Sequence, residues 1–395
     1  MIKGQNIVCI SNTTWYGPIT KSTVQIMSRL AEGNRILFVE YPFTVKDVIY
    51  GLLKKGNAPV SRILGFRARI SPIHTPEGTV VQQLIVPAVL PCDFIKNEFL
   101  FNLVFGINSW IYKRAVQKAI LKLKMTDIIS VSAYNPYFGL SLKGKLKEIL
   151  NVYYSYDGPN LRRHGKRVLV KDAAYAKATD AVITTSDFLA SEKRKYNPNC
   201  FVVKNGVDFN EFSRFAKTEN FRDKEIRIGY IGSMDFRFDI DMVEEAVKSL
   251  PEYSFHFIGH IRNEAIRDRL SDYSNVTFFK PVSPYEVPAL LSGFHAGIIP
   301  YLQNEINRNI YPLKINEYLA AGVPVVMSRF SELPEFEGEV DSVKTAAEFI
   351  RCLKKQVSED SLEKRTTRIA FAKGNSWDIR AEEFSAVLEH LLNEK

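Results

Sequence analysis

A lysine and a glutamate three residues apart, Lys314 and Glu317, stand just after a proline in the stretch Arg308–Val326, RNIYPLKINEYLAAGVPVV. Pro312 suits the first turn of a helix, where a missing N–H costs nothing, and Gly322 followed by Pro324 suits its exit. On that helix Lys314 and Glu317 share a face, while Ile315 and Leu319 point to a core. A helix N-terminus offers unsatisfied N–H groups and partial positive charge, which suits a diphosphate. Lys314 adds a full charge in the first turn. Glu317, one turn deeper, can accept two hydroxyl protons from a ribose. Spacing alone leaves a second reading open, an exposed Lys–Glu pair on a solvated helix.

Other polar residues are candidates on weaker grounds. Asp157 ends the apolar run in VYYSYDGP, a position open to a general base or to a turn aspartate before Gly158-Pro159. His164 and His260 are further polar candidates, with a structural role as the alternative. Asp239 and Asp241 (DID) suit a helix cap better than a metal. GLSLKGKL (139–146) lacks the Ser/Thr that a phosphate-binding loop needs, since Leu146 stands there. The first strand is followed by a single glycine, Gly17, which argues against a dinucleotide fingerprint.

The elements that must position these residues are read from the pattern. Short apolar runs alternate with helical patterns along the whole chain, which predicts βαβ units and parallel sheets. Strands are expected at Asn6–Ser11, Arg35–Glu40, Val80–Pro87, Asp127–Ser132, Asn151–Tyr156, Asp180–Thr184 and Cys200–Lys204 in the first half. In the second they are expected at Ile226–Ile231, Ser254–Ile258, Val276–Phe279, Ala296–Pro300 and Val323–Met327. Two doubly wound α/β domains follow. Residues 1–208 form the first and 209–376 the second, with Phe209–Lys224 as linker and 377–395 as a C-terminal helix that packs on either one. Ligands of such sheets sit at the carboxyl ends of the strands, where Gly232, Ser233, Tyr301 and the start of the Lys314 helix fall, and the backbone N–H groups of Gly232 and Ser233 are expected to meet a leaving diphosphate there.

Charge divides the chain. Residues 1–210 hold 29 of the 53 Lys+Arg and 14 of the 44 Asp+Glu, so a net +15 faces a net −6 in the remainder. No nucleic-acid module accompanies the basic half. The segment Phe99–Lys124 starts apolar and ends in Lys113, Arg114, Lys118, Lys122 and Lys124. Leu103, Ile107, Trp110 and Ile111 fall at helical spacing. Such a helix suits an anionic membrane surface, or else packs as an ordinary α/β helix with a solvated basic edge. MIKGQNIVCIS reads as a first strand rather than a leader, and no run reaches the length of a membrane span. Four scattered cysteines point to a reducing compartment and to neither zinc nor a disulfide framework. A cytoplasmic protein, peripheral on the inner face of the plasma membrane, is the expected setting.

PLKINEYLAAGVPVV resembles the nucleotide-sugar-binding segment of GT-B glycosyltransferases, those similar to glycosyltransferase family 4 (glycosyl transferases group 1). NGVD (205–208), IRIGYIGSMD (226–235) and FFKPVSPYEVPALLSGFHAGIIPY (278–301) are similar to that family's pre-linker turn, phosphate loop and base-binding region. The resemblance covers about 200–330 and implies two Rossmann-like domains facing across a cleft. The basic first domain would bind the acceptor and the second the donor, with no metal and no cofactor. Of the family's paired glutamates, Glu317 matches the second and Asn309 occupies the first position, eight residues earlier. Ser233 replaces the family's phosphate-binding arginine and Phe238 falls near its lysine, which makes Arg237 and Arg308 candidates for the missing charge. The implied reaction moves a sugar from a nucleotide diphosphate, a UDP-sugar by family, to a glycan or lipid-linked acceptor in envelope or exopolysaccharide biosynthesis. Retention is favoured over inversion. The alternatives are a nucleotide-sugar epimerase and a non-catalytic nucleotide-sugar-binding protein.

Overall fold

The computed structural model describes residues 1–17, 21–158, 165–216 and 225–395. Contacts divide the chain into two units. The first comprises residues 1–204 and 380–395, and the second residues 205–379. The first boundary lies four residues before the 208/209 division expected from sequence. The expected linker also differs: Phe209–Ser213 is a short helix whose Phe212 enters the core of the second unit, and 217–224 lie outside the described residues. The helix Trp377–Asn393 contributes its first three residues to the second unit and the rest to the first. In the first unit Ser385 Oγ accepts the Ile2 N–H at 2.6 Å, and Phe384 meets Tyr154 edge-on at 5.3 Å.

The first unit is built on strands β1 (Asn6–Ser11), β2 (Arg35–Val39), β3 (Ile70–His74), β4 (Val80–Leu84), β5 (Ile128–Ala133), β6 (Glu148–Ser155), β7 (Ala181–Thr184) and β8 (Cys200–Val202). They lie in the order β3-β4-β2-β1-β5-β6-β7-β8, parallel except for the β3–β4 pair. Ile7 in β1 is level with Ile36 of β2 and Ile129 of β5. Strands covered on both faces read as continuous apolar runs, which is why β1, β5 and β7 were legible. The antiparallel edge strand β3 was not expected: its sequence, ISPIH, carries a proline and two polar side chains, which only an edge tolerates.

The second unit carries β9 (Ile226–Ile231), β10 (Tyr253–Ile258), β11 (Val276–Phe279), β12 (Ala296–Ile299), β13 (Val325–Ser328) and β14 (Asp341–Val343). The order β11-β10-β9-β12-β13-β14 is wholly parallel. Strand order therefore reverses between β9 and β12, and the crevice for a ligand opens at their carboxyl ends. Each unit is thus a Rossmann-like doubly wound α/β layer structure. All four cysteines are free. Among the described residues no helix is long and apolar enough to cross a membrane.

Candidate functional site

The helix of the second unit that bears the Lys–Glu pair runs Leu313–Ala320, with Pro312 in extended conformation as the residue before it. It stops as the sequence predicts. Gly322 has φ +77°, its N–H donates to Leu319 O at 2.9 Å, and the Val323 N–H donates to Tyr318 O at 2.9 Å. This double closure at a left-handed glycine satisfies carbonyls that the helix end would leave bare. Ile315, Tyr318 and Leu319 are buried. Tyr318 also anchors the helix to the sheet: its hydroxyl accepts the Ile231 N–H at 3.1 Å, and its ring fills the space that a side chain on Gly297 would occupy. Lys314 and Glu317 are thereby held over the end of β9.

The amine end of Lys314 lies directly above Gly232, the residue that follows β9. A β-carbon at Gly232 would stand 2.5 Å from Lys314 Cε and 2.9 Å from Nζ. Gly232 also has φ +155°. Its backbone touches that of Gly259, the equivalent residue after β10, so closely that a β-carbon there would meet the Gly232 carbonyl at 2.0 Å. The two loops are knitted further by Met234 N–H to His260 O (2.9 Å) and Arg262 N–H to Met234 O (2.8 Å). One sequence-level inference fails here. The Gly232 N–H donates to Ile258 O at 2.8 Å, so it is spent on the end of β10 and cannot receive a phosphate. The Ser233 N–H has no acceptor among the described residues and remains available.

Lys314 and Glu317 are both half-buried, and neither makes a hydrogen bond or an ion pair among the described residues. They are therefore not the surface salt bridge that spacing alone allowed. Burial pushes the Glu317 carboxyl above its ordinary value of 4.5, and the Lys314 charge pulls it back only in part. A desolvated carboxylate without a partner gains by accepting hydroxyl donors from a ligand.

The candidates for the missing positive charge separate clearly. Arg237 is engaged: Nε and one terminal nitrogen donate to the two oxygens of Asp235 at 2.9 and 2.8 Å. Burial alone would raise Asp235, but the Arg237 bonds outweigh it and hold that carboxyl below its ordinary value. The same guanidinium lies 5.5 Å from the centre of the Tyr301 ring, and Tyr301 is buried against Phe330. Arg237 and Tyr301 thus brace the floor of the site. Phe238 is core, edge-on to Tyr230 at 5.3 Å. Arg308 is exposed on the loop after β12, where Ser331 Oγ donates to its carbonyl at 2.9 Å. Asn309 ends a short 3-10 turn, and its side chain lies outside the described residues. Sequence reasoning missed Arg262. From the β10 loop its Nε donates to Ser233 Oγ at 3.2 Å, while the guanidinium stays exposed. It brings a cation to the place where Ser233 itself carries none. His260 is exposed on the same loop, and His164 lies outside the described residues.

The first unit has a polar edge of its own at the carboxyl ends of β1, β2 and β5. Glu40, directly after β2, is buried, and its Oε1 accepts from Trp15 N–H at 2.8 Å and Gln83 Nε2 at 2.5 Å. Its Oε2 is buried with no partner. Burial raises this carboxyl, opposed by those bonds and by the charges of Lys21 and Arg62. Tyr134, just after β5, holds φ +48°, a left-handed conformation that is costly for a bulky residue. The signal for Glu40 was present in sequence, since it follows RILFV without a break, but it was read as the last residue of a strand. Asp157 lies two residues past β6, exposed, its Oδ1 accepting the Gly158 N–H at 2.8 Å. Among the described residues no group of three or more His, Cys, Asp or Glu side chains is gathered to hold a metal ion.

Residues 225–357 match the family model described as glycosyl transferases group 1. The matched segment lies wholly within the second unit. All the candidates on the second sheet fall inside the matched segment, whereas Glu40 and Asp157 fall outside it. Among curated proteins, TuaH of Bacillus subtilis (strain 168), assigned as a teichuronic acid biosynthesis glycosyltransferase, is 30% identical over 179 residues. That match covers 42% of this chain and 45% of TuaH, so the chain spans less than half the length of the curated relative it matches. Among solved structures, an α,α-trehalose-phosphate synthase (UDP-forming) from Burkholderia xenovorans, in complex with glucose-6-phosphate, has TM-score 0.68 at 12% identity. It covers 98% of this chain and 100% of its own. A glycosyltransferase from Rickettsia africae has TM-score 0.63 at 13% identity, with both chains fully covered. At that identity these structures show the fold alone.

Proposed function

We propose that the protein is a glycosyltransferase that moves a sugar from a nucleotide diphosphate to a hydroxyl acceptor. The observation that carries this reading is the Lys314 amine held over Gly232 at the end of β9, with the unpartnered Glu317 carboxylate one turn along. Diphosphate at Lys314 places a ribose within reach of the next helical turn, where Glu317 accepts its two hydroxyls. As the glycosidic bond breaks, the leaving diphosphate gains charge. Lys314, Arg262 and the Ser233 N–H are the groups set to meet it. Arg237 acts indirectly by fixing Asp235 and the loop after β9.

A UDP-sugar is the proposed donor class, and a hexosyl or uronosyl group the proposed cargo. The acceptor is proposed to be a glycan or lipid-linked hydroxyl in envelope polysaccharide assembly, a reading supported by the teichuronic acid role assigned to TuaH and by the basic first half. The polar edge around Glu40 is the proposed acceptor side. Metal-independent transfer with retention is the favoured chemistry, the departing diphosphate oxygen taking the acceptor proton.

A thermal-shift screen of nucleotide sugars identifies the donor, and titration calorimetry with that donor tests the site. Glu317→Ala is expected to weaken binding by about 10- to 100-fold, the size of hydrogen bonds to a charged group. Unchanged affinity removes the ribose assignment. Conversion of the donor sugar without any acceptor would identify an epimerase, and binding without turnover a sensor.

A further inference from the structure

The helix Glu98–Lys122 of the first unit is exposed along a full stripe. Phe99, Leu103, Ile107, Trp110, Arg114 and Lys118 follow one another at spacings of three and four and are all exposed, Phe99 by 80% and Trp110 by 56%. A helix that meets only water does not carry Phe, Leu, Ile and Trp on its outer face. The buried side of the same helix is already supplied by Phe101, Tyr112, Val116 and Ile120, so the outer stripe is surplus to the fold.

Beside the basic end of the stripe runs a groove of about 660 Å3, formed with the segment 65–70. Phe66, 83% exposed, and Trp110 both line it. Arg67, Arg69, Arg114, Lys118 and Lys122 line it, and no acidic side chain does. None of these five cations is ion-paired among the described residues. Arg69 Nε–H is buried without an acceptor. The groove therefore combines unmatched positive charge, an orphaned donor and aromatic side chains that end in open solvent.

The geometry points to a docking surface for an anionic phospholipid leaflet, with Phe66 and Trp110 entering the headgroup–acyl boundary and the five cations meeting lipid phosphates. Charge complementarity decides for this occupant. Apolar side chains alone would suit any oily partner, whereas the mixture of inserted aromatics and unpaired cations is the pattern of an interfacial helix. This inference goes beyond the transfer reaction and does not depend on it.

Flotation of the full chain tests it, with vesicles of phosphatidylcholine alone and with one-third phosphatidylglycerol. Binding is expected only to the anionic vesicles, and is expected to fall with salt. The chain has three tryptophans, and Trp15 and Trp377 are buried, so the emission of Trp110 should shift to the blue on binding. Arg114→Glu with Lys118→Glu should cut partitioning at least about tenfold. Phe66→Ser with Trp110→Ser should also reduce it, and because all four side chains are exposed the melting temperature should hold. Failure to float with anionic vesicles overturns the proposal, as does equal flotation of the charge-reversed variant. A blue shift that grows with protein concentration without vesicles assigns the face to a second copy of this chain. A shift produced by inorganic phosphate alone, without flotation, makes it a soluble-anion site. Either result also overturns the leaflet.

Discussion

Lys314 and Gly232 are interlocked: the lysine's last methylene and amine occupy the volume that any side chain at 232 would need. The relationship explains a glycine at the end of β9 in two ways, since φ +155° is also a conformation reserved for glycine. Gly232→Ala is therefore expected to act through Lys314. The lysine end is flexible and can move aside, so the fold should survive with a loss of about 1–3 kcal/mol from the backbone. Nucleotide affinity should fall about tenfold, close to the effect of Lys314→Ala. In calorimetry the double variant should be no weaker than Lys314→Ala alone, because both changes remove one contact. Additive losses would show that the glycine acts independently.

Glu317 gives a pH signature. Burial raises its folded value above 4.5, so the native state holds this proton more tightly than the unfolded chain. Stability from protonated Glu317 is full below the unfolded value and is lost as pH rises through the raised folded value. Glu317→Gln removes that loss. Its melting temperature should match wild type at pH 4 and exceed it at pH 8. Nucleotide affinity should move the other way, with wild type binding better as the carboxylate ionises and the glutamine variant showing no such rise. A melting difference that does not change with pH would contradict the burial argument.

Arg262 and Arg237 should behave differently although both lie beside the β9 loop. Arg262 is exposed, and its side chain hydrogen-bonds Ser233 Oγ. Arg262→Ala should leave the melting temperature within a degree or two and weaken nucleoside diphosphate binding about tenfold, with nucleoside binding unaffected. Arg237→Ala leaves the half-buried Asp235 without its two bonds and should cost about 1–3 kcal/mol of stability, measured by denaturant unfolding. Reversed outcomes would exchange the roles of the two arginines.

Much of this site was legible because local rules set it. The apolar run of β9, the Lys–Glu spacing and the Gly322 stop each depend on neighbours in sequence. Arg262 was not legible, because its contact with Ser233 joins two loops 29 residues apart and depends on the close approach of Gly232 and Gly259. The Gly232 N–H was misjudged for the same reason: its acceptor, Ile258 O, belongs to the neighbouring strand. Strand β14 has three residues, too few to display a period, and β3 is an edge whose proline argues against any strand. Composition showed the basic half. It did not show that Leu103, Ile107 and Trp110 are exposed, and sequence had left them open between packing and a membrane surface.

Asp157 separates the two stereochemical courses. Its carboxylate already serves the turn by accepting the Gly158 N–H. Under the retaining reading, Asp157→Asn keeps that acceptor and should hold turnover at saturating donor within about threefold. A fall of about 10²- to 10⁴-fold, the range of a lost general base, would instead make transfer inverting with Asp157 as base. Analysis of the product's anomeric configuration by NMR gives an independent reading of the same question.

The last prediction concerns what keeps the Lys314 helix in place from behind. Asp360 accepts from Arg365 Nε at 2.7 Å and from a terminal nitrogen of Arg368, all three side chains being almost fully buried. Arg368 Nε in turn donates to Gly322 O at 2.9 Å, the carbonyl just past the end of that helix. Removing the shared carboxylate takes from two buried guanidinium groups the negative charge between them, which is far more costly than the cluster is worth when intact. Asp360→Ala should therefore lower unfolding free energy by about 3–5 kcal/mol. Asp360→Asn, which keeps an acceptor oxygen, should recover part of that loss. Denaturant unfolding of the full chain measures both. If Asp360→Ala were neutral, the Asp360 cluster would not be what holds Gly322, and the fixed position of Lys314 would rest on Tyr318 and the buried Ile315 and Leu319.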